Sequence, residues 1–287
     1  MGGTLYVVAT PIGNMGDMTS RGREVLSSAD IIAAEDTRTS GVLLEKLGIG
    51  GQKLVAYHKF NEEAGASGIV RLLAEGKNVA LITDAGTPCV SDPGSVLVRE
   101  AIDAGITVTA VPGASAVAAA ISVSGFNTVA FSFFGFLPRR DSEIAEVFER
   151  IKKEYARVSV FYESPRRIKD TLKVICKTVP EASLCLCNDL TKKFERIYRG
   201  SPKEVLSEIE DNPDHTKGEY ALVVSLPDYA EAPAEEKPRS PELSILEAVL
   251  EGCSVRDAAG KLIAEGTFPK NEVKRAAIRI KERFEID

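Results

Sequence analysis

Carboxylates, glycines and prolines gather at four points of this 287-residue sequence, and each point directly follows a short apolar run. The richest is Leu81 to Gly94, which reads Leu-Ile-Thr-Asp-Ala-Gly-Thr-Pro-Cys-Val-Ser-Asp-Pro-Gly. Asp84 and Asp92 offer carboxylate acceptors, Gly86 lets backbone approach a ligand closely, and Pro88 stiffens the turn. The other three are Thr10-Pro11-Ile12-Gly13-Asn14, Ala33 to Arg38 with Glu35 and Asp36, and Pro112-Gly113-Ala114-Ser115-Ala116. Taken singly, each also reads as a plain strand-to-helix connection, in which Ser91 or Asp92 would cap the next helix. Brought to one sheet edge, they build a single cleft. None is a G-x-x-x-x-G-K-S/T or G-x-G-x-x-G loop, so the ligand is not expected to be held by its phosphates. A nucleoside-like, uncharged or cationic ligand fits better, and a sulfonium cofactor would account for carboxylates at the rim.

Positioning these turns requires a parallel sheet. Apolar runs of strand length at Leu5–Ala9, Ile31–Ala34, Leu54–Ala56, Val79–Ile82 and Val108–Val111 alternate with helical patterns such as Leu43/Leu44/Leu47 and Ile69/Leu72/Leu73. That alternation predicts crossover helices and an N-terminal α/β lobe over residues 1–119. Later strands, at Phe131–Phe136, Val158–Tyr162, Leu184–Leu186, Phe194–Tyr198 and Tyr220–Val224, are separated by fewer helices, which predicts a mixed sheet in a second α/β lobe over residues 120–226. Four prolines and an acidic run between Leu226 and Pro241 predict a stiff linker over 227–241. Three apolar stripes at helical spacing then predict a helix-turn-helix-like domain over 242–287, with Ser254 and Asp257 opening its second helix. A nucleotide-sensing regulator that binds DNA through this bundle is one reading of that layout, but the acidic residues of the bundle nearly cancel its basic ones.

A net charge of −6 argues against indiscriminate electrostatic binding to nucleic acid and leaves room for a local basic surface. Two arginine pairs, Arg139–Arg140 and Arg166–Arg167, follow strand ends and suit phosphate oxygens. The five cysteines lack the short paired spacings of a zinc or redox site, and Cys185 with Cys187 reads as two small buried thiols on one strand face. Reduced thiols, an N-terminus without a basic leader, and an uncharged stretch from Ala104 to Pro138 broken by Pro112-Gly113 and Ser124-Gly125 predict a cytoplasmic chain without a membrane span.

Read in order, Thr10–Asn14, Ala33–Arg38, Asp84–Pro88, Pro112-Gly113-x-Ser115-Ala116, Gly135-Phe136-Leu137-Pro138, Phe161-Tyr162-Glu163-Ser164-Pro165-x-Arg167 and Leu190-Thr191-Lys192 resemble the tetrapyrrole methylase superfamily, specifically its branch of small-subunit ribosomal RNA methyltransferases. The resemblance covers the whole chain. It implies a two-lobed class III (tetrapyrrole methylase-like) methyltransferase with a C-terminal helical domain, using S-adenosyl-L-methionine to methylate the 2′-oxygen of a cytidine in the decoding region of 16S rRNA, and acting as a homodimer. The implied cofactor residues are Pro11, Asp84, Gly86, Thr87, Pro88, Ser115 and Ala116, with Tyr162 and Leu190 from the second lobe. The expected RNA contacts are Arg38, His58, Arg139, Arg140, Arg166 and Arg167. Ala114 stands where the motif often has proline. A precorrin or uroporphyrinogen C-methyltransferase fits less well, since those carry a glycine-rich first loop and a Gly-Asp-Pro central turn.

Methyl transfer from a sulfonium is an in-line displacement in which positioning does most of the work. A ribose hydroxyl still needs a group to share its proton. Glu35, Asp36, Glu163, Asp189 and Lys192 are the candidates. His58 sits in a polar His-Lys-Phe-Asn-Glu setting, but a lone histidine is more often structural.

Overall fold

The computed structural model describes residues 2–154, 157–227 and 240–284. The chain divides into two compact units, residues 1–228 and 229–287.

The first unit holds two five-stranded sheets. In the first, strands β1 (Thr4–Val8), β2 (Ile31–Ala34), β3 (Lys53–Ala56), β4 (Val79–Ile82) and β5 (Thr107–Val111) are all parallel, in the order β3-β2-β4-β1-β5. Strand residues alternate between two cores. Ile31, Ala33, Val79 and Leu81 face α3 (Glu62–Ala74) and α4 (Ser95–Asp103), whereas Ile32, Ala34, Ala80 and Ile82 face α1 (Ser20–Ser28) and α2 (Thr37–Leu47). Burial on both sides explains why β2 and β4 read as unbroken apolar runs. β1 and β4 lie side by side, and the chain leaves them in opposite directions, toward β2 and toward β5. Such a reversal opens a crevice at the carboxyl ends of the two strands.

The second sheet is mixed, as its sparser helices predict. Strands β6 (Phe131–Phe136), β7 (Val158–Glu163), β8 (Ser183–Asn188), β9 (Arg196–Gly200) and β10 (Tyr220–Ser225) run in the order β6-β7-β10-β8-β9. Only the β6–β7 pairing is parallel. One face is covered by α6 (Asp141–Glu154), α7 (Ile168–Thr178) and α8 (Pro202–Asp211) around Phe148, Phe161 and Leu172. The other face meets α5 (Ala116–Ser124) through Val117 and Ala120, together with Ile12 and Val90 from first-lobe loops. The helix that spans the expected lobe junction at residues 119–120 thus packs on the second sheet, because its apolar side matches Val160, Cys185 and Val223 there. Cys185 and Cys187 are fully buried, with their sulfurs 3.8 Å apart, and all five thiols are free. Phe194, expected to begin a strand, precedes β9 and is exposed.

Most of the expected linker lies outside the described residues. In the second unit, α9 (Pro241–Leu250), α10 (Val255–Glu265) and α11 (Lys270–Phe284) enclose Ile245, Val255, Val273 and Ile280. Ser254 caps α10 by accepting the Asp257 N–H at 3.1 Å. No helix among the described residues is long and apolar enough to cross a membrane.

Candidate functional site

The loops that follow β1, β4 and β5 are locked to one another. The Thr10 N–H donates to the Gly86 carbonyl at 2.8 Å and the Gly86 N–H donates back to the Thr10 carbonyl at 3.1 Å. The buried Thr10 hydroxyl reaches the Thr83 carbonyl at 3.1 Å, and the Thr87 hydroxyl donates to the Ala114 carbonyl at 3.1 Å. Gly86 has φ +85°, and a Cβ there would lie 3.3 Å from the Ile12 side chain. Its glycine is therefore required by backbone conformation and by the approach of neighbouring loops, where the sequence alone suggested the approach of a ligand. Cys89 and Ser91 follow with φ +69° and +68°. Left-handed backbone at non-glycine residues costs on the order of 1–3 kcal/mol each and clusters at functional sites.

Glu35, Asp84 and Asp92 converge on a cleft of about 430 Å³. Glu35 accepts the Thr83 hydroxyl at 2.6 Å, and Asp84 accepts the Asp36 N–H at 3.2 Å. Among the described residues none of the three forms an ion pair. Burial, then repulsion from Glu35 and Asp84, pushes Asp92 up to about 6, and burial likewise raises Asp84. Gly94 and Ser115 occupy the cap positions just before α4 and α5, and neither helix has a side-chain cap. This overturns the plain-loop reading: Ser91 and Asp92 do not cap α4 and line the cleft instead. By contrast, Thr19 and Ser201 cap their helices with their hydroxyls.

The second lobe closes the cleft with Tyr162, Phe136 and the end of β7. Tyr162 meets Phe133 and Phe136 edge-on at 5.0 and 5.6 Å between ring centroids. Burial, reinforced by Asp92, lifts its phenol to about 12. The Glu163 carboxylate is buried and accepts the Ser164 N–H at 2.7 Å and the Thr171 hydroxyl at 2.7 Å, with the Arg167 guanidinium at 3.2 Å. Arg167 also donates to the carbonyls of Leu137 and Pro138. Lys192 donates to Asp189 at 2.7 Å and to Glu219 at 3.0 Å. Burial works against its charge, but these two bonds hold the ammonium above the usual lysine range. The Lys192 stem crosses Gly13, where a Cβ would come within 2.4 Å of it.

All the residues expected at the cofactor line the cleft except Pro11 and Pro88, which are buried in the same loops. Of the expected proton acceptors, Glu35 and Glu163 line it, Glu163 with its oxygens already engaged. Asp36 lies outside the lining: it caps α2 through the Arg38 N–H at 2.8 Å, and its hydrogen-bonded pairing with the Arg38 guanidinium holds it below the usual carboxylate range. Lys192 is likewise outside the lining, committed to its two carboxylates and charged. His58 also lies elsewhere, its ring edge-on to Phe60 at 6.1 Å and its backbone N–H donating to the Asn61 side-chain oxygen at 2.8 Å. Arg38, Arg139, Arg140 and Arg166 are exposed, whereas Arg167 is turned inward.

Asp92 lines the cleft with Asp84, as their shared turn led one to expect, whereas Phe136, Glu219 and Tyr220 line it without having been expected there. Nothing in the sequence places β10, which Glu219 immediately precedes, between β7 and β8.

A profile of the family described as Tetrapyrrole (Corrin/Porphyrin) Methylases matches residues 4–206. A Bacillus subtilis (strain 168) protein named ribosomal RNA small subunit methyltransferase I is 37% identical over 274 residues, 94% of this chain and 92% of its own. Its Haemophilus influenzae namesake is 40% identical over 264 residues, 92% of each chain. Among solved structures, diphthine synthase superposes with a TM-score of 0.60 at 15% identity, over 78% of this chain and 90% of that one, and a uroporphyrin-III-C-methyltransferase from Thermus thermophilus with 0.51 at 22%, over 78% and 94%. These two likenesses carry the fold alone. Together, the doubly wound first sheet, the mixed second sheet and relatives matching nearly end to end show that the chain belongs to the tetrapyrrole methylase family, in its ribosomal RNA small subunit methyltransferase I group.

Proposed function

We propose that this protein transfers a methyl group from S-adenosyl-L-methionine to the 2′-oxygen of a cytidine in the decoding region of 16S rRNA, in the cytoplasm and as a homodimer. The observation that carries the cofactor assignment is the set of three carboxylates, Glu35, Asp84 and Asp92, converging without a cationic partner on a cleft large enough for a nucleoside. Such a donor set fits a sulfonium and an ammonium, and it opposes a ligand held by phosphates. The names of the near full-length relatives support the RNA substrate.

When bound, S-adenosyl-L-methionine supplies the electrophilic methyl group. Asp84 and Glu35 would hold its cationic groups by charge, with Ser115, Ala116 and Leu190 supplying further cleft wall. Asp92, with its carboxyl lifted to about 6, accepts the ribose hydroxyl proton; a base titrating near working pH combines availability with proton affinity. Tyr162, kept neutral by burial, donates a hydrogen bond without competing for that proton. Glu163, through Arg167, keeps the rim formed by Leu137 and Pro138 in place.

The test incubates the protein with methyl-labelled S-adenosyl-L-methionine and 30S subunits from cells lacking the enzyme, then maps the label. Label on a single ribose is expected, and a 2′-deoxy nucleotide at that site should take none. Label on a base ring overturns the 2′-oxygen assignment, and label absent from RNA overturns the substrate.

A further inference from the structure

Strand β6 reads Phe131-Ser132-Phe133-Phe134-Gly135-Phe136, and an uninterrupted strand would send Phe134 and Phe136 to the same face. Phe134 does turn into the core, where it stacks on Phe161 with centroids 5.3 Å apart and planes 16° apart. Phe136 does not. Phe133 pairs with Val160, but the next pairing is Phe136 with Tyr162, so three steps on β6 oppose two on β7. The extra residue is absorbed at Gly135, with φ +67°. This bulge moves Phe136 from the core face to the cleft, where the residue is 60% exposed.

An exposed phenylalanine at a cleft mouth forgoes burial, and the surroundings hold this one in place. Tyr162 meets its edge at 5.6 Å. The next residue, Leu137, is buried, and Arg167 binds the carbonyls of Leu137 and Pro138 while pairing with Glu163. Gly135 passes close to the central turn, since a Cβ there would lie 3.1 Å from the Ser91 hydroxyl. The ring is thus anchored at its root and open on its surface. Exposed Arg139 and Arg140 follow it in the chain, and exposed Arg166 adjoins Pro165 of the cleft wall.

We propose that Phe136 is a stacking platform for the base of the unpaired nucleotide that enters this cleft, with Arg139, Arg140 and Arg166 taking the adjoining phosphates. The assignment rests on the RNA substrate proposed above. Unpaired bases are recognised by stacking on aromatic side chains, which tolerates any base because every base has a flat face, while the flanking charge holds the backbone. The bulge supplies the reason a phenylalanine stands in the open here.

The experiment measures steady-state methylation of unmethylated 30S subunits, calorimetric S-adenosyl-L-methionine affinity and solution mass for the wild type and for Phe136→Ala, Phe136→Trp and Phe136→Leu. Phe136→Ala is expected to raise KM for subunits by about tenfold to a hundredfold. Turnover, cofactor affinity and mass should hold, the pattern of an interaction made equally in ground and transition states. Trp should restore KM and Leu should not. A wild-type KM in Phe136→Ala, or rescue by Leu equal to that by Trp, overturns the platform. Weakened cofactor affinity would assign the ring to the cofactor's own base, and a changed mass would assign it to a protein contact; either also overturns the proposal. A wild-type protein that does not methylate subunits overturns the functional reading itself, a failure distinct from an active wild type with an unaffected Phe136→Ala.

Discussion

The two lobes treat their acidic groups in opposite ways. In the second lobe, Glu163 is surrounded by Ser164, Thr171 and Arg167, and Asp189 and Glu219 share Lys192. In the first, Glu35, Asp84 and Asp92 face the cleft together with no paired cation among the described residues. Folding has no use for three crowded carboxylates, two of them half-buried, and Asp84 and Asp92 respond with raised proton affinity. Compensated charge therefore marks scaffold, and uncompensated charge marks the ground kept for a ligand.

The comparison breaks most visibly at the junction of the first-lobe loops. Gly86→Val puts a branched residue at φ +85° beside Ile12, so cofactor binding should be abolished with the fold retained; calorimetry showing wild-type affinity would end the assignment of these loops. Glu163→Ala removes a buried acceptor from three donors and should cost about 3–5 kcal/mol of stability, read by urea unfolding. A cost under about 1 kcal/mol would place Glu163 with the ligand groups rather than the scaffold.

Asp92→Asn should do the reverse, lowering turnover by about a hundredfold while leaving stability at neutral pH equal or higher. The folded-state value near 6 lies above the ordinary 3.8, so the folded protein binds this proton more tightly than the unfolded chain does. The contribution of Asp92 is most favourable below the ordinary value, declines as pH rises toward 6 and is flat beyond it. The stability advantage of Asp92→Asn should therefore fade between pH 6 and 4, and an advantage that grows on acidification would show the sign to be wrong.

Smaller effects sharpen the contrast at the surface. Alanine at Arg139, Arg140 and Arg166 together should leave stability unchanged and make the salt dependence of 30S binding shallower, by somewhat less than one unit of slope for each phosphate these arginines neutralise. Arg167→Ala should instead destabilise, because its guanidinium holds Glu163 and the Leu137–Pro138 turn. Arg38→Ala should leave the urea unfolding midpoint essentially unchanged, since its side chain is 90% exposed and its partner Asp36 keeps the cap on α2.

Local patterning by itself determined where most of the strands run and which turns gather at one sheet edge. Ile31–Ala34 and Val79–Ile82 had to be strands buried on both sides, because four consecutive apolar residues leave no solvent face. The composition of Asp84 to Gly94 marked a loop that lines the cleft. What the sequence left undecided is which charges meet. Arg166 and Arg167 are neighbours of one type, yet one is exposed and the other closes on Glu163, because the turn into α7 points successive side chains to opposite sides. Asp36 and Glu35 look interchangeable, but Asp36 is the residue that caps α2. The lining by Glu219 and Tyr220 depends on β10 entering the second sheet between β7 and β8, and the turning of Phe136 depends on one extra residue in the β6–β7 register. Strand order and register are settled by which apolar faces pack together across the chain, and only the tertiary structure holds that information.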